Sequence, residues 1–187
     1  RIGMTMVTPG LLANILRKDV SFFSDENREE WPESLGKYGA VMSQYGWQWE
    51  SRFADGEKIT GIVEWIALVG GMEKGMFLPS VSSMVGVRTI KGIEFAVGPN
   101  LSLGGIAMVI GAGYNFKFGR LNLPVNIAYV PNMNKTYEID EQYEWVEEYD
   151  ENGNQIGGHE ELISPEYSLI HPTGARISVM VGFNLTR

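Results

Sequence analysis

The stretch Ala40-Val-Met-Ser-Gln-Tyr-Gly-Trp-Gln-Trp-Glu-Ser-Arg-Phe53 decides the fold. Its odd positions are Val41, Ser43, Tyr45, Trp47, Trp49, Ser51 and Phe53, and its even positions are Met42, Gln44, Gly46, Gln48, Glu50 and Arg52. A period of two with large apolar residues on one side and small or polar ones on the other predicts a β-strand. The pattern recurs. Ile93, Phe95, Val97, Leu101 and Leu103 oppose Glu94, Ala96, Gly98, Asn100 and Ser102. Ile106, Met108, Ile110, Tyr114 and Phe116 oppose Ala107, Gly111, Gly113 and Asn115. Leu121–Tyr129 and Arg176–Leu185 repeat it, while Ile59–Gly71 is apolar on both faces around Glu64 and Pro79–Thr89 carries Ser83 on its apolar side. With Arg1–Thr8 as a first strand the count is eight.

The charges sort onto one face. Glu50, Arg52, Glu64, Arg88, Glu94, Lys117, Arg120 and Arg176 all fall opposite the large apolar residues. Two closed barrels fit. In a soluble ligand-binding barrel the apolar face points inward, with Trp47, Trp49 and Trp65 lining a pocket for an apolar ligand. In a membrane barrel that face meets lipid, and small residues with a paired charge network fill a lumen only just wide enough for side chains. The expected fold is the second, an all-β, eight-stranded antiparallel transmembrane β-barrel occupying residues 1–187 as one domain. Connection lengths agree with it. The turns at Ala54–Lys58, Ile90–Lys91 and Phe118–Gly119 are short and share one end, while the long connections Pro9–Gly39 and Pro131–Gly174 share the other. Short turns on one side and long loops on the other is the outer-membrane arrangement. Trp47, Trp49, Phe53, Phe95, Tyr114, Phe116 and Phe183 are expected to face lipid, most of them as a girdle at the short-turn rim; strands favour aromatics in any case.

Composition excludes several classes. There is no cysteine among 187 residues, so disulfides, thiolate metal sites and cysteine nucleophiles are ruled out. The net charge of −8 comes from one segment, for eleven of the 23 acids lie between Thr136 and Glu166, where there is no Lys or Arg. No basic cluster with interleaved aromatics supports nucleic-acid binding, and no apolar run is long enough for a transmembrane helix.

The long connections hold the remaining candidates. Leu11, Leu12, Ile15 and Leu16 stand at helical spacing within Pro9–Val20 and predict a short amphipathic helix in the first long loop. Tyr137–Ile163 reads as an acidic external hairpin around Asn152-Gly153. Leu12, Leu16, Tyr143 and Trp145 are the partner-contact candidates. Asp150, Asn152, Asn154 and Glu161 occupy positions 1, 3, 5 and 12 of a calcium-loop spacing, but Gln155 stands where that loop needs glycine. A solvated acidic turn is therefore the expectation, and no cofactor or metal is expected. Both histidines, His159 and His171, lie in the second long connection. A rim lipid-modifying enzyme built on His171 is the third reading, although Pro172-Thr173 follow that histidine in place of a His-x-Ser pairing. No catalytic residues are assigned.

Ile110-Gly-Ala-Gly-Tyr114-Asn-Phe116, Leu123-Pro-Val-Asn-Ile-Ala-Tyr-Val-Pro-Asn132 and Thr173-Gly-Ala-Arg-Ile-Ser-Val-Met-Val-Gly-Phe183-Asn resemble small outer-membrane β-barrel proteins of Bacteroidota-type bacteria, with a porin-like architecture. The likeness covers roughly Ala40–Arg187. It implies a signal peptide removed before Arg1, insertion by the barrel-assembly machinery and residence in the bacterial outer membrane. Such chains commonly end on an aromatic residue, whereas this sequence ends Phe183-Asn-Leu-Thr-Arg187. The expected role is a non-enzymatic structural or accessory subunit of a larger outer-membrane complex for secretion, uptake or barrel assembly. Its expected partners are outer-membrane lipid and other outer-membrane proteins, reached through the external loops.

Overall fold

A computed structural model describes residues 1–18, 37–119, 121–149 and 155–185. The first unit starts with β1 (Ile2–Val7), α1 (Leu11–Arg17), β2 (Ala40–Asp55) and β3 (Ile59–Gly70). A 3-10 turn (Met72–Lys74) leads to β4 (Leu78–Thr89), β5 (Ile93–Ser102), β6 (Gly105–Phe118) and β7 (Leu121–Val130). The second unit, Asn134–His171, holds β8 (Asn134–Ile139), β9 (Gln142–Tyr149) and β10 (Gln155–Ser164), and β11 (Tyr167–Pro172) closes the excursion. The chain then returns to the first unit with β12 (Arg176–Val181) and β13 (Asn184–Leu185). Strands β1 to β7 pair in sequence as antiparallel neighbours, and β12 pairs with both β7 and β1 to close an eight-stranded barrel.

The wall follows the alternation. One outward row runs Val85, Val97, Ile110, Tyr129, Ile177, Met6 and Val41 across successive strands, each opposite the next in register and each exposed. Trp47, Trp49 and Trp65 are 73%, 59% and 52% exposed. The inward-facing arrangement that a soluble ligand-binding barrel needs is therefore not the one adopted, and these tryptophans line no interior pocket.

The interior departs from expectation in its middle. Ile66, Leu68, Met84, Val109, Val130 and Met180 form a buried apolar cluster inside the barrel. This explains why β3 is apolar on both faces: its inner residues are core and its outer ones are wall. Gly46 and Gly98 keep the wall close, since a Cβ on either would come within 1.9 Å of a facing carbonyl oxygen.

Helix α1 packs at the long-connection end. Ala13 and Leu16 are buried with Val7 and Met42, and Leu12 packs against the same cluster. Leu16, 1% exposed, is thus core and not a partner contact, and Leu12 faces the same way. The four-residue repeat of apolar side chains is satisfied by the barrel mouth itself. Asn14 lies among them fully buried, and neither of its amide atoms has a hydrogen-bond partner among the described residues. Leucine has the same branching and a better helix propensity, so Asn14→Leu should stabilise the fold by about 1–3 kcal/mol, seen as a raised urea midpoint. A lowered midpoint would mean that the amide is bonded.

Two further differences concern the wall. The last strand is interrupted at Gly182-Phe183, but β13 continues the pairing with β7 in the same register. Strand β2 is also longer than its first neighbour. β1 covers its edge from Ala40 to Tyr45, and Arg1 meets Gly46, but from Trp47 to Asp55 β2 pairs with β3 alone among the described residues.

In the second unit, β9 and β10 form the expected hairpin, with Trp145 opposite Glu160 and Tyr143 opposite Leu162. It stands within a longer excursion in which β8 pairs with β11.

Candidate functional site

The charged residues that alternation turns inward meet near the short-turn end. Register sets Glu50 opposite Glu64 and Arg88 opposite Glu94. The Arg88 guanidinium donates to both carboxylate oxygens of Glu50, one at 2.5 Å, and through Nε to Glu94 Oε1. This planar fork suits Arg, because its donors are fixed in the geometry that a carboxylate accepts. Glu64 and Glu94 are each 3% exposed. Glu64 accepts from Gln48 Nε2, and Gln48 Oε1 in turn accepts from Arg1 Nε at 2.6 Å. Arg1 Nη1 reaches Pro124 O at 3.3 Å and Asn126 Oδ1 at 3.4 Å.

Five of the eight charges assigned to one network therefore lie inside the barrel, and they form two groups. Glu50, Glu64, Arg88 and Glu94 cluster together. Arg176 stands apart, donating to Asn100 Oδ1 at 3.1 Å and Ser102 Oγ at 3.3 Å. Arg52 is on the rim, its side chain 63% exposed and 4.0 Å from Glu50. Lys117 is exposed at the end of β6, because the inward phase there has already left the barrel. Arg120 lies outside the described residues. Arg1 was not foreseen as a member, yet Ile2, Met4 and Met6 facing outward place Arg1, Gly3 and Thr5 inward by the same two-residue period.

A second polar layer lies toward α1. Thr5 Oγ1 donates to Gln44 Oε1 at 2.5 Å and shares a 2.7 Å bond with Ser178 Oγ, and Asn100 Nδ2 donates to Ser82 Oγ at 2.9 Å. Two interior cavities of about 40 and 20 Å³ adjoin it. Such spaces hold a few waters or a small ion, not a travelling solute.

On the outer wall, Trp47, Trp49, Phe53, Phe95, Tyr114, Phe116 and Phe183 are all exposed. Tyr114 and Phe116 meet edge to face at 4.7 Å, and Phe116 stacks with Phe118 at 6.5 Å. Phe118 extends this rim; its place beside the Gly119 turn hid it from the strand pattern.

In the excursion, Tyr143 and Trp145 are 50% and 58% exposed and share a face with Leu162. Trp145 lies across Gly158. A hydrogen bond with Glu141 holds the Tyr143 hydroxyl above its usual range. Glu144 stands directly opposite Glu161, and His159 Nδ1 lies 2.9 Å from Glu148. His171 falls on β11, where partial burial pushes its ring below the usual value. Of the calcium-spacing residues, Asp150, Asn152 and Asn154 lie outside the described residues and Glu161 sits on β10. The base of the excursion is pinned in the barrel unit: Thr173 N donates to Met133 O at 2.7 Å, and Gly174 N donates to Asn132 Oδ1 at 2.9 Å.

The chain matches no known family model, no curated protein and no solved structure.

Proposed function

We propose that the protein is an outer-membrane β-barrel that acts as a non-enzymatic structural or accessory subunit, meeting partner proteins through Asn134–His171. The unbroken outward band of apolar side chains carries the reading. An exposed apolar surface of this extent is a binding surface or a lipid surface, and around a closed barrel with polar groups inside it fits lipid. The aromatic rim from Phe53 to Phe183 supports an interfacial girdle at the short-turn end. A lumen filled by apolar core, charge cluster and α1 supports a structural role rather than conduction.

Fractionation of the native host tests membrane residence. The protein should resist alkaline carbonate, require detergent for release and migrate differently before and after boiling. Recovery in the aqueous fraction without a heat shift would contradict the reading. The partner assignment has its own test. Replacing Asn134–His171 by a short Gly-Ser turn should leave the heat-shifted barrel intact, because the excursion is a separate compact unit, and should remove cross-linked partners. Unchanged cross-links would clear this segment of the role.

A further inference from the structure

Arg176 is a cation placed inside the barrel without a counter-charge among the described residues. Its guanidinium donates to two neutral oxygens, Asn100 Oδ1 and Ser102 Oγ, and no carboxylate lies within ion-pair reach of it among the described residues. The contrast with the other interior arginines is direct: Arg88 grips two carboxylates, and Arg1 is relayed to Glu64 by Gln48. A charge removed from water costs several kcal/mol unless something of opposite sign meets it.

The space beside Arg176 is suited to supplying that charge from solution. The two interior cavities, about 40 and 20 Å³, share three wall residues, Arg176, Gln44 and Ser80. Among the described residues no Asp or Glu lines either cavity. The Gln44 amide oxygen accepts from Thr5 Oγ1, which leaves Nε2 as the donor of this lining residue. Ser80 adds a hydroxyl. Three donor-bearing residues, one of them cationic, therefore line a small volume with no acid among the described residues. Water can fill such a volume but cannot neutralise it, and an oxyanion with organic substituents exceeds it.

We propose that the barrel interior binds one small monovalent inorganic anion, a halide, between the Arg176 guanidinium, the Gln44 amide nitrogen and the Ser80 hydroxyl. This goes beyond the accessory role and depends on neither lipid nor partner. The anion completes the interior electrostatics at the α1 end, as Glu50 and Glu94 do for Arg88 at the other.

The test uses the full chain in detergent, unfolded by urea at constant ionic strength in sodium chloride or sodium gluconate, whose anion is too large to enter. Once chloride exceeds its dissociation constant, each tenfold increase should raise the folded-to-unfolded ratio about tenfold. Gluconate should not. Arg176→Gln should abolish the difference between the two salts. Gln44→Glu, which supplies an internal carboxylate, should fold and should also lose the chloride response. Crystals soaked in bromide should give an anomalous peak beside Arg176. Identical behaviour in chloride and gluconate, an equal chloride response in Arg176→Gln, or bromide-soaked crystals with no peak at these cavities would each overturn the proposal. An interior that holds water alone gives the first and third of these results.

Discussion

Arg88→Met should destabilise the barrel by about 3–5 kcal/mol, the cost of leaving buried charge without its partner. Arg88 is the only residue among those described whose side chain bridges two interior carboxylates, and it does so with its full fork. The side chains of Arg88, Glu50 and Glu94 are 17%, 22% and 4% exposed, so solvent can do little to rescue the acids once the cation is gone. Adding Glu50→Gln and Glu94→Gln to Arg88→Met should recover most of the loss, because neutral amides do not repel one another. Arg52→Met provides the internal comparison. Its side chain is 63% exposed, and its loss should fall within about 0.5 kcal/mol of zero. Urea unfolding of the three variants beside the wild type decides the matter. Equal small effects for Arg88→Met and Arg52→Met would show that the lumen cluster is solvated and that its burial carries no weight.

Val97→Arg tests the other face of the same wall. Val97 lies between Val85 and Ile110 in the outward row and is 46% exposed. In water an arginine there is a surface substitution, within about 0.5 kcal/mol of neutral. At the midplane of a bilayer it costs about 2–4 kcal/mol. The barrel folded into phosphatidylcholine vesicles should show the larger figure, and Ala96→Ser on the inner face of the same strand should remain much closer to wild type. A neutral Val97→Arg in vesicles would mean that this row does not contact hydrocarbon.

Most of the wall was legible because a strand shows its alternation locally. Trp47 and Gln48 need no knowledge of the rest of the chain to be placed on opposite faces. Ile66 and Leu68 were the exception, since their reason for being apolar is burial in one interior cluster with Met84, Val109 and Met180, and a pattern of period two cannot name a partner. The charge network showed the same limit. Alternation turned Glu50, Arg88, Glu94 and Arg176 inward, but depth along the barrel, which decides that Arg52 and Lys117 reach water and that Arg176 is separated from the acids, depends on strand stagger. Arg1 was within reach of the pattern, for Ile2, Met4 and Met6 fix its phase. Leu16 illustrates a different ambiguity: an amphipathic helix presents an apolar stripe to whatever covers it, and the sequence does not distinguish the chain's own barrel mouth from a partner. The function was the least legible part, since lipid and a partner protein select the same kinds of outward side chain.

Tryptophan quenching by brominated lipid tests the lipid-facing wall most directly. With Trp31→Phe and Trp145→Phe introduced, the emission of the folded barrel comes from Trp47, Trp49 and Trp65, all on the outer wall. In vesicles whose acyl chains carry bromine, that emission should fall strongly relative to unbrominated vesicles, and the quenching should vary with the depth of the bromine. Emission unchanged by bromine at every depth, in protein shown to be folded and bound to the vesicles, would contradict the membrane-barrel account.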